Sequence, residues 1–251
     1  MSDADLSACA ALLHRGDPER FRAVMAAPVP LRRMLLPLYA FNLEVARAPW
    51  VTKEPLIAQM RLQWWSDALE EIAAGKTPRR HEVVTPLAEV LDMRGARDLE
   101  TLVAARQADV EGLTIGQLSD LTRYIDGTLG TLLWTAARLA GMEDESAARD
   151  AGLAHGLAAW LTAAPDLTGR GRTTLPPGDS AERTRELAAE GRTALARFRQ
   201  ARIPRSARPV FLVLSDTEMR LRAFEADPEP PETNPVRSRL RLTWKTLMGR
   251  V

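Results

Sequence analysis

The segment QLSDLTRYIDGTLGTLLWTAARLA, residues 117–140, is the longest stretch of helical periodicity in the chain. Its apolar residues recur at steps of three and four, which places them on one face of an α-helix. These residues are Leu118, Leu121, Ile125, Leu129, Leu132, Leu133, Ala136 and Leu139. Gly141 follows them and is a suitable end for the helix. We expect this helix to lie in the centre of the core.

Other segments on both sides of this one show the same helical spacing. They cover residues 31–45, 57–72, 86–95, 98–106, 153–161, 187–198 and 210–224. We expect Pro37 to kink or interrupt its helix, Gly75 to end the next in a left-handed turn, and Thr85 and Asp98 to serve as N-caps. A loop is expected between residues 161 and 187, with Pro165 and Asp166 in it. No segment alternates apolar and polar residues with period two, so the predicted fold class is all-α.

The C-terminal part of the chain differs in composition from the rest. The segment DPEPPETNP at residues 227–235 is rich in proline and acid, which predicts a linker between a helical domain at 1–226 and a last helix at 236–251. Apolar residues of that helix recur at helical spacing beside a group of cations. A membrane or partner surface is assigned to Arg237, Arg239, Arg241, Trp244 and Lys245. The alternative is a helix that closes the bundle and turns its basic face to solvent.

The composition is typical of a folded protein and excludes several functional classes. Of 251 residues, 45% are hydrophobic and 27% charged, and the formal net charge of +1 does not indicate a nucleic-acid partner. Cys9 is the only cysteine, which excludes an intramolecular disulfide and a thiolate metal site. The three histidines, His14, His81 and His155, have no local ligand spacing. No phosphate-binding or dinucleotide-binding glycine motif is present.

The N-terminal residues and the hydropathy pattern bear on localisation. Asp3 and Asp5 stand where a secretory signal carries basic residues. The longest uncharged stretch, near residues 151–165, is shorter than the roughly 18–20 apolar residues of a membrane-spanning helix. We therefore expect a cytoplasmic protein, with peripheral contact at the inner face of the membrane as an open alternative.

Three stretches, taken together, resemble the squalene/phytoene synthase family. They are DPERFRAVMAAPVPLRRMLLPLYAFNLEVARAP at 17–49, QMRLQWWSDALEEIAAG at 59–75 and HGLAAWLTAAPDLTGRGRTTLP at 155–176. The resemblance implies a single-domain helical bundle of the isoprenoid-synthase type around a central cavity. In the catalytic members, two aspartate-rich motifs face each other across that cavity and hold the magnesium ions that bind a prenyl diphosphate.

The aspartates of both motifs are missing from this chain. By the resemblance, the first motif falls on Ala46, Arg47 and Trp50, and the second motif and its neighbouring asparagine fall on Ala163, Leu167 and Ala159. Magnesium takes oxygen ligands, which none of these side chains supplies. Asp166 is the one carboxylate left nearby, and a turn or cap residue is its simpler interpretation.

One branch of the family, the proteins similar to NADH:ubiquinone oxidoreductase complex assembly factor 6, resembles the chain more closely. The shared phrases are AFNLEVA at 40–46, MRLQWW at 60–65, GTLGTLLW at 127–134 and LTAAPDLTGRGRTTLP at 161–176. That resemblance implies a binding or assembly role without catalysis or cofactor, and a partner that is a respiratory complex I subunit or assembly intermediate. Two alternatives remain: a divergent prenyl transferase holding Mg²⁺ through Glu44, Asp109 and Asp166, and an isoprenoid lipid-binding protein.

Candidate cavity or partner-binding residues come from the same phrases. They are Tyr39, Phe41, Asn42, Glu44, Arg61, Gln63, Trp64, Trp65, Trp134, Arg170 and Arg172. The adjacent tryptophans point about 100° apart on a helix, so we expect one of them in the core. The two loop arginines suit an anion, or else pair with nearby acidic helices.

Overall fold

The structure, a computed structural model, describes residues 2–52, 54–229 and 234–249, and within these ranges all regular structure is helical. The first half contains α1 (Asp3–Gly16), α2 (Pro18–Ala26), α3 (Val29–Arg47), a 3₁₀ turn (Ala48–Trp50), α4 (Pro55–Ala73), α5 (Val84–Val90) and α6 (Met93–Glu111). The second half contains α7 (Leu118–Ile125), a π-helical turn (Asp126–Gly130), α8 (Thr131–Leu139), α9 (Glu145–Gly169), α10 (Ser180–Gln200), a 3₁₀ segment (Arg208–Leu214), α11 (Thr217–Ala226) and α12 (Pro235–Met248). The predicted all-α class is confirmed.

The segment at 117–140 forms one continuous helical run, α7, the π turn and α8. All residues from Thr131 to Ala137 are buried, which confirms the expected core position of its second half. The π turn was not predicted. It coincides with a very close helix crossing, since a Cβ added to Gly152 of α9 would lie 2.5 Å from the Cα of Gly130. The Thr128 hydroxyl donates to the Tyr124 carbonyl at 2.8 Å, which satisfies an acceptor that the wider turn frees.

The other interior helix is α3, which contacts α1, α2, α4, α5, α6 and α8. Its residues from Leu35 to Asn42 are all buried, so this part of the helix is enclosed around its whole circumference. Pro37 lies inside α3 and does not interrupt it, contrary to one of the two predicted outcomes. The end of α4 agrees with the prediction, because Gly75 follows it with a φ of 65°.

Two predicted N-caps are wrong. Thr85 lies inside α5, and its hydroxyl accepts a bond from the His81 amide at 3.2 Å. Asp98 lies inside α6, whose N-cap is Asp92, with its carboxylate accepting from the Gly95 amide at 2.7 Å. The chain therefore begins α6 six residues earlier than expected, because the first available aspartate already satisfies the free amides.

Two helix boundaries also differ from the prediction. Helix α9 continues through Pro165 to Gly169, so Pro165 and Asp166 are helical and not in a loop. A proline lacks only its own amide, and this one is exposed near the last turns of the helix, where the lost bond matters least. The predicted helix at 210–224 is divided into a 3₁₀ segment and α11, with a turn at Ser215 and Asp216.

The C-terminal helix begins at Pro235, one residue before the predicted start. The Asn234 side chain accepts bonds from the Val236 and Arg237 amides at 3.0 and 3.2 Å and caps it. Residues 230–233 of the predicted linker, and residues 250–251 of the predicted last helix, lie outside the described residues. Helix α12 contacts α2 and the 3₁₀ segment at Arg208–Leu214. None of the helices in the described ranges is long and apolar enough to cross a membrane.

Candidate functional site

A cavity of 560 Å³ lies between the end of α3, α6, α7 and α9. All five positions that the family resemblance assigns to the two aspartate motifs line it, namely Ala46, Arg47, Trp50, Ala163 and Leu167. Helix α9 presents a face of residues at three- and four-residue spacing, from Gly156 through Ala159 and Trp160. The two motif positions therefore face one cavity, as the resemblance implies, but with other side chains.

The residues at this cavity do not fit a magnesium–diphosphate site. The carboxylates that line it in the described chain are Asp109 and Asp166. Glu44, the third acid considered for Mg²⁺, is not among the lining residues and lies 3.5 Å from the guanidinium of Arg47. The described ranges contain no group of three or more His, Cys, Asp or Glu side chains arranged to hold a metal ion. Two separated carboxylates fall short of the oxygen cage that Mg²⁺ requires.

The Asp109 carboxylate is already engaged in a buried cluster with Arg106 and Tyr124. The Tyr124 hydroxyl donates to both carboxylate oxygens at 2.9 and 2.8 Å, and it accepts from Arg106 Nη1 at 2.6 Å. Arg106 also lies 3.2 Å from the carboxylate. Burial, and then the charge of Asp109, raise the pKa of the Tyr124 hydroxyl, so it remains a donor at neutral pH. The cluster fixes one wall of the cavity and leaves Asp109 little freedom to bind a metal.

Trp50 holds the two predicted loop arginines at the mouth of the cavity. The guanidinium carbons of Arg170 and Arg172 lie 5.6 and 4.8 Å from the centre of the Trp50 ring, within cation–π range. Arg172 also donates from Nη2 to the Asp109 carbonyl at 2.6 Å. The ion pairs found between described residues include neither arginine, so the predicted pairing with acidic helices is not seen.

Several of the predicted residues lie in the core and not at this cavity. Tyr39 and Phe41 are fully buried, and Trp134 is 3% exposed. Trp65 is 5% exposed and Trp64 half-buried, which confirms that one of the two belongs to the core. The aromatic side chains that do line the cavity are Trp50, Tyr124 and Trp160. The sequence contained a signal that places Trp160 at the cavity. Small residues that line the same cavity, Gly156 and Ala163, lie one helical turn before and after it.

Buried polar atoms without a partner mark the core beside these aromatics. In the described chain the Tyr39 hydroxyl, Asn42 Oδ1 and Trp134 Nε1 are buried and form no hydrogen bond. Burial raises the pKa of Tyr39 to about 12, and Arg20 lies over its ring at 5.1 Å. A buried polar atom without a hydrogen bond lowers the free energy of unfolding. We therefore attribute the burial of these side chains to packing.

A second cavity, of 380 Å³, lies on the other side of α9 and shares Ala159, Ala163 and Asp166 with the first. His155 lines it and lies 3.3 Å, Nδ1 to Oγ1, from Thr217. Burial, with the nearby charges of Arg20 and Arg220, lowers the pKa of His155 to about 3. This histidine is therefore neutral at physiological pH. Asp166 stands between the two cavities with an exposed carboxylate.

The sequence matches the model of the squalene/phytoene synthase family over residues 13–180. This range includes both motif positions and most of the cavity wall. The chain belongs to the squalene/phytoene synthase family.

Relatives of this family member include proteins named complex I assembly factor 6. The Drosophila melanogaster homolog is 31% identical over 172 residues, which are 64% of this chain and 51% of that protein. The proteins of Homo sapiens and Mus musculus are each 27% identical over 173 residues, 67% of this chain and 52% of theirs. The chain thus spans about half the length of these relatives. The resemblance inferred from the shared phrases is confirmed.

Solved structures of squalene/phytoene synthases share the fold. A dehydrosqualene synthase superposes with a TM-score of 0.75 at 14% identity and covers 97% of this chain and 96% of its own. Squalene synthase HpnC from Alicyclobacillus acidocaldarius gives a TM-score of 0.73 at 18% identity, with coverage of 91% and 95%. The predicted helical bundle of the isoprenoid-synthase type is therefore confirmed.

In this squalene/phytoene synthase family member, two further groups of predicted residues lie on the outer surface. Arg61 and Gln63 are exposed on α4, beside Leu56, Ile57 and Met60, which are 67%, 47% and 64% exposed. We call these five residues the α4 face. The 3₁₀ turn that carries Trp50 contacts α4.

The predicted surface on α12 is divided between two sides of the helix. Arg237, Arg239 and Trp244 are exposed, as a membrane or partner surface requires. Arg241 and Lys245 are half-buried against the body of the protein. The assignment of Arg241 to the outer surface is corrected by its contact with Asp216, 2.5 Å from Nε to Oδ1. Lys245 faces inward with it, because the two are one helical turn apart.

Proposed function

We propose that this chain is a non-catalytic family member that assists the assembly of respiratory complex I by binding a protein partner. The observation that carries the proposal is the cavity wall, where Ala46, Trp50, Ala163 and Leu167 replace the metal-binding positions. Without a magnesium site, the developing charge on a diphosphate leaving group lacks the metal ions that neutralise it in the catalytic members. The relatives named complex I assembly factor 6 support the assembly role. The proposed activity requires neither a metal nor an organic cofactor.

The partner surface we propose is the α4 face together with Trp50. Its three large apolar side chains, Leu56, Ile57 and Met60, are each more than 45% exposed to solvent. Contiguous exposed apolar side chains of this kind mark interaction sites. Arg61 lies on the same face. Tryptophan and arginine are residue types that carry much of the binding energy in interfaces, so Trp50 and Arg61 suit this role. We infer that an apolar segment of a complex I subunit or assembly intermediate, flanked by acidic residues, binds here.

A deletion strain of the source organism tests the proposal. We expect its membranes to lose most NADH:ubiquinone oxidoreductase activity and the wild-type gene to restore it. A Met60→Glu variant is expected to restore little, because it places a charge in the apolar centre of the interface. The matched control is Met93→Glu on α6, since Met93 and Met60 are 62% and 64% exposed.

Either of two results contradicts this function. Normal complex I in the deletion strain removes the assembly role. Equal rescue by Met60→Glu and Met93→Glu, at equal protein level, leaves the assembly role but removes the α4 face as its site. We further propose that the chain is cytoplasmic, with peripheral contact at the inner face of the membrane as the alternative, and fractionation of the same strains tests this location.

The 560 Å³ cavity favours a second candidate function, the binding of an isoprenoid lipid. Its volume is in the range of small-molecule sites, about 300–1,000 Å³. Leu113, Ile125 and Leu129 form apolar wall, while Arg170 and Arg172 supply positive charge at the mouth. Native mass spectrometry of protein purified from its own host tests this function. A bound isoprenoid, combined with normal complex I in the deletion strain, would replace the first proposal with the second.

A divergent prenyl transferase is the remaining alternative. It needs Mg²⁺ held by Glu44, Asp109 and Asp166, but Glu44 does not line the cavity and Asp109 is bound by Arg106 and Tyr124. We therefore expect no turnover of prenyl diphosphates with magnesium. Turnover that disappears in an Asp166→Asn variant would restore the enzyme interpretation.

A further inference from the structure

Five large apolar side chains of α12 point away from the protein. Val236, Leu240, Trp244 and Leu247 are 63%, 64%, 61% and 77% exposed, and Met248 is 48% exposed. At about 100° per residue, Val236, Leu240 and Leu247 lie within about 40° of one another, and the other two flank them on one side. We call these five residues the α12 strip. A helix on the surface of a bundle normally turns such a strip toward the core.

The side of α12 that faces the protein carries Ser238, Arg241 and Lys245 beside one apolar residue, Leu242, which explains this orientation. Ser238 is the buried residue of the helix. Arg241 Nε lies 2.5 Å from Asp216 Oδ1, and Arg241 Nη2 donates to the Ser238 hydroxyl at 3.4 Å. Burial opposes ionisation of Asp216, but bonds from Arg241 and Ser238 lower its pKa overall. These contacts hold the helix with its apolar side to solvent.

Positive charge borders the α12 strip and no negative charge lies within it. By helical geometry, exposed Arg239 lies about 60° beyond the Val236 side of the strip, and exposed Arg237 lies on its other side, at an angle between those of Trp244 and Met248. The helix, Pro235–Met248, contains no Asp or Glu. Exposed Met25 and Val29 lie on either side, in sequence, of Pro28, which shares a 310 Å³ cavity with the end of α12.

We infer that the α12 strip docks on an anionic lipid bilayer, with the helix lying parallel to the membrane in its interface. An apolar strip with a tryptophan at its edge, bordered by arginines, matches the chemistry of lipid chains below and anionic headgroups beside them. The helix has 14 residues and is about 21 Å long, which is too short to span a bilayer but suits this arrangement.

Charge argues against a second copy of the chain as the occupant. A two-fold pair of α12 strips would bring Arg237 and Arg239 of both copies together with no acid on either helix to pair with them. A lipid surface supplies the missing negative charge. The inference rests on α12 alone and is independent of the proposed role in complex I assembly.

Flotation of the full chain with lipid vesicles tests the docking. We expect the protein to float with vesicles of phosphatidylcholine and phosphatidylglycerol, to bind pure phosphatidylcholine weakly, and to dissociate as salt is added. A Leu240→Glu/Leu247→Glu variant should bind about tenfold less or weaker still, because two apolar contacts become charged. Met93→Glu, an equally exposed apolar site on α6, is the control and should bind like the wild type.

The charge and the depth of docking are measured separately. An Arg237→Gln/Arg239→Gln variant should lose most of its preference for anionic vesicles and keep the weak binding to neutral ones. Brominated lipids should quench the fluorescence of the bound wild type more than that of Trp244→Phe. Because all substituted side chains are exposed, the variants should melt at the temperature of the wild type by circular dichroism.

Three results would overturn the inference. They are failure of the wild type to float with anionic vesicles, flotation unchanged in Leu240→Glu/Leu247→Glu, and equal binding to neutral and anionic vesicles. A fourth is a dimer in analytical ultracentrifugation that the same double variant converts to a monomer without any vesicle binding. That outcome would assign the α12 strip to a second copy of the chain.

Discussion

Trp50 carries an indole at a position where the family resemblance places a magnesium-binding carboxylate, and Arg170 and Arg172 stack on its ring at 5.6 and 4.8 Å. A carboxylate would draw a metal to this wall, whereas an indole face draws guanidinium groups. The replacement of one side chain is thus accompanied by a reversal of the local charge. The mouth of the cavity becomes cationic without any metal.

The two tyrosines of the chain form a natural comparison at the residue scale. The Tyr124 hydroxyl joins Asp109 to Arg106, whereas the Tyr39 hydroxyl is buried without a partner. We expect Tyr124→Phe to lower the free energy of unfolding by about 1–3 kcal/mol, because it leaves buried charged groups without their shared bond. Tyr39→Phe should be neutral or stabilising, since it removes an unsatisfied hydroxyl. Urea denaturation of both variants checks this, and equal losses would contradict the assigned role of the cluster.

We predict that burial of His155 makes the free energy of unfolding fall in acid. Its folded pKa is about 3 against an ordinary value of 6.5, so the unfolded state binds the proton more readily, and stability falls as the pH drops from 6.5 toward 3. Near pH 5 the loss from this one group is about 2 kcal/mol. A His155→Gln variant should lose correspondingly less stability between neutral pH and pH 5 in denaturant titrations.

The matched control for this prediction is His14→Gln, because the His14 side chain is exposed. It should keep the acid sensitivity of the wild type. If His155→Gln and the wild type lose the same stability between the two pH values, His155 is not the group responsible.

The sequence predicted some residues of the site and missed others for a physical reason. Arg170 and Arg172 were predicted because their loop phrase is distinctive, and the cavity includes both. Tyr124 was missed because hydrophobic periodicity does not show which polar groups meet, and its partner Asp109 is 15 residues away in another helix. Tyr39 and Phe41 were assigned to the surroundings of the cavity because they are aromatic and belong to a phrase shared with the family. Neither property distinguishes a residue in a cavity wall from a residue in the core.

At the scale of elements, the crossing of α9 over the π turn is the place where a glycine of one helix comes nearest to the backbone of another. A Cβ on Gly152 would meet the Gly130 Cα at 2.5 Å and the Leu129 carbonyl oxygen at 2.7 Å, both of them backbone atoms. Backbone cannot move aside as a side chain does. The π turn and this glycine therefore depend on each other.

Gly152→Ala should destabilise the protein by about 3 kcal/mol, because the helices must separate to admit the methyl group. The control is Gly169→Ala in the last turn of the same helix, where an added Cβ meets nothing within 4 Å. That change should be neutral or stabilise by up to about 1 kcal/mol through helix propensity. Thermal unfolding of both variants is the measurement, and a Gly152→Ala protein as stable as the wild type would contradict the described crossing.

Element positions were more predictable than element ends. The periodicity located α3, α4, α8, α9 and α10, because each has an apolar face that the sequence displays. It failed at Asp98, since Asp92 was an equally suitable cap that lies nearer the preceding helix. It also failed at the turn containing Asp216, where a buried bond from Arg241 of α12 stabilises a break that no local signal shows.

At the scale of the whole molecule, the functional surfaces are separate. Trp50 lines the cavity and lies on the 3₁₀ turn that contacts α4, while the α12 strip lies on a helix that contacts α2 and the Arg208–Leu214 segment. The proposed assembly role and the inferred membrane docking would each use one of them. Family membership set the fold; the cavity wall differs at the family's metal-binding positions, Trp50 among them, whereas the α12 strip lies on a helix outside both motifs.

The central claim, that the cavity no longer binds a magnesium diphosphate, is tested most directly by calorimetric titration of the purified chain. A non-hydrolysable prenyl diphosphate is added with and without Mg²⁺. We expect that magnesium does not strengthen binding, since the side chains of Ala46, Trp50, Ala163 and Leu167 supply no ligand oxygens. Binding that requires magnesium and is lost in Asp166→Asn would contradict it and return the chain to the catalytic members of the family.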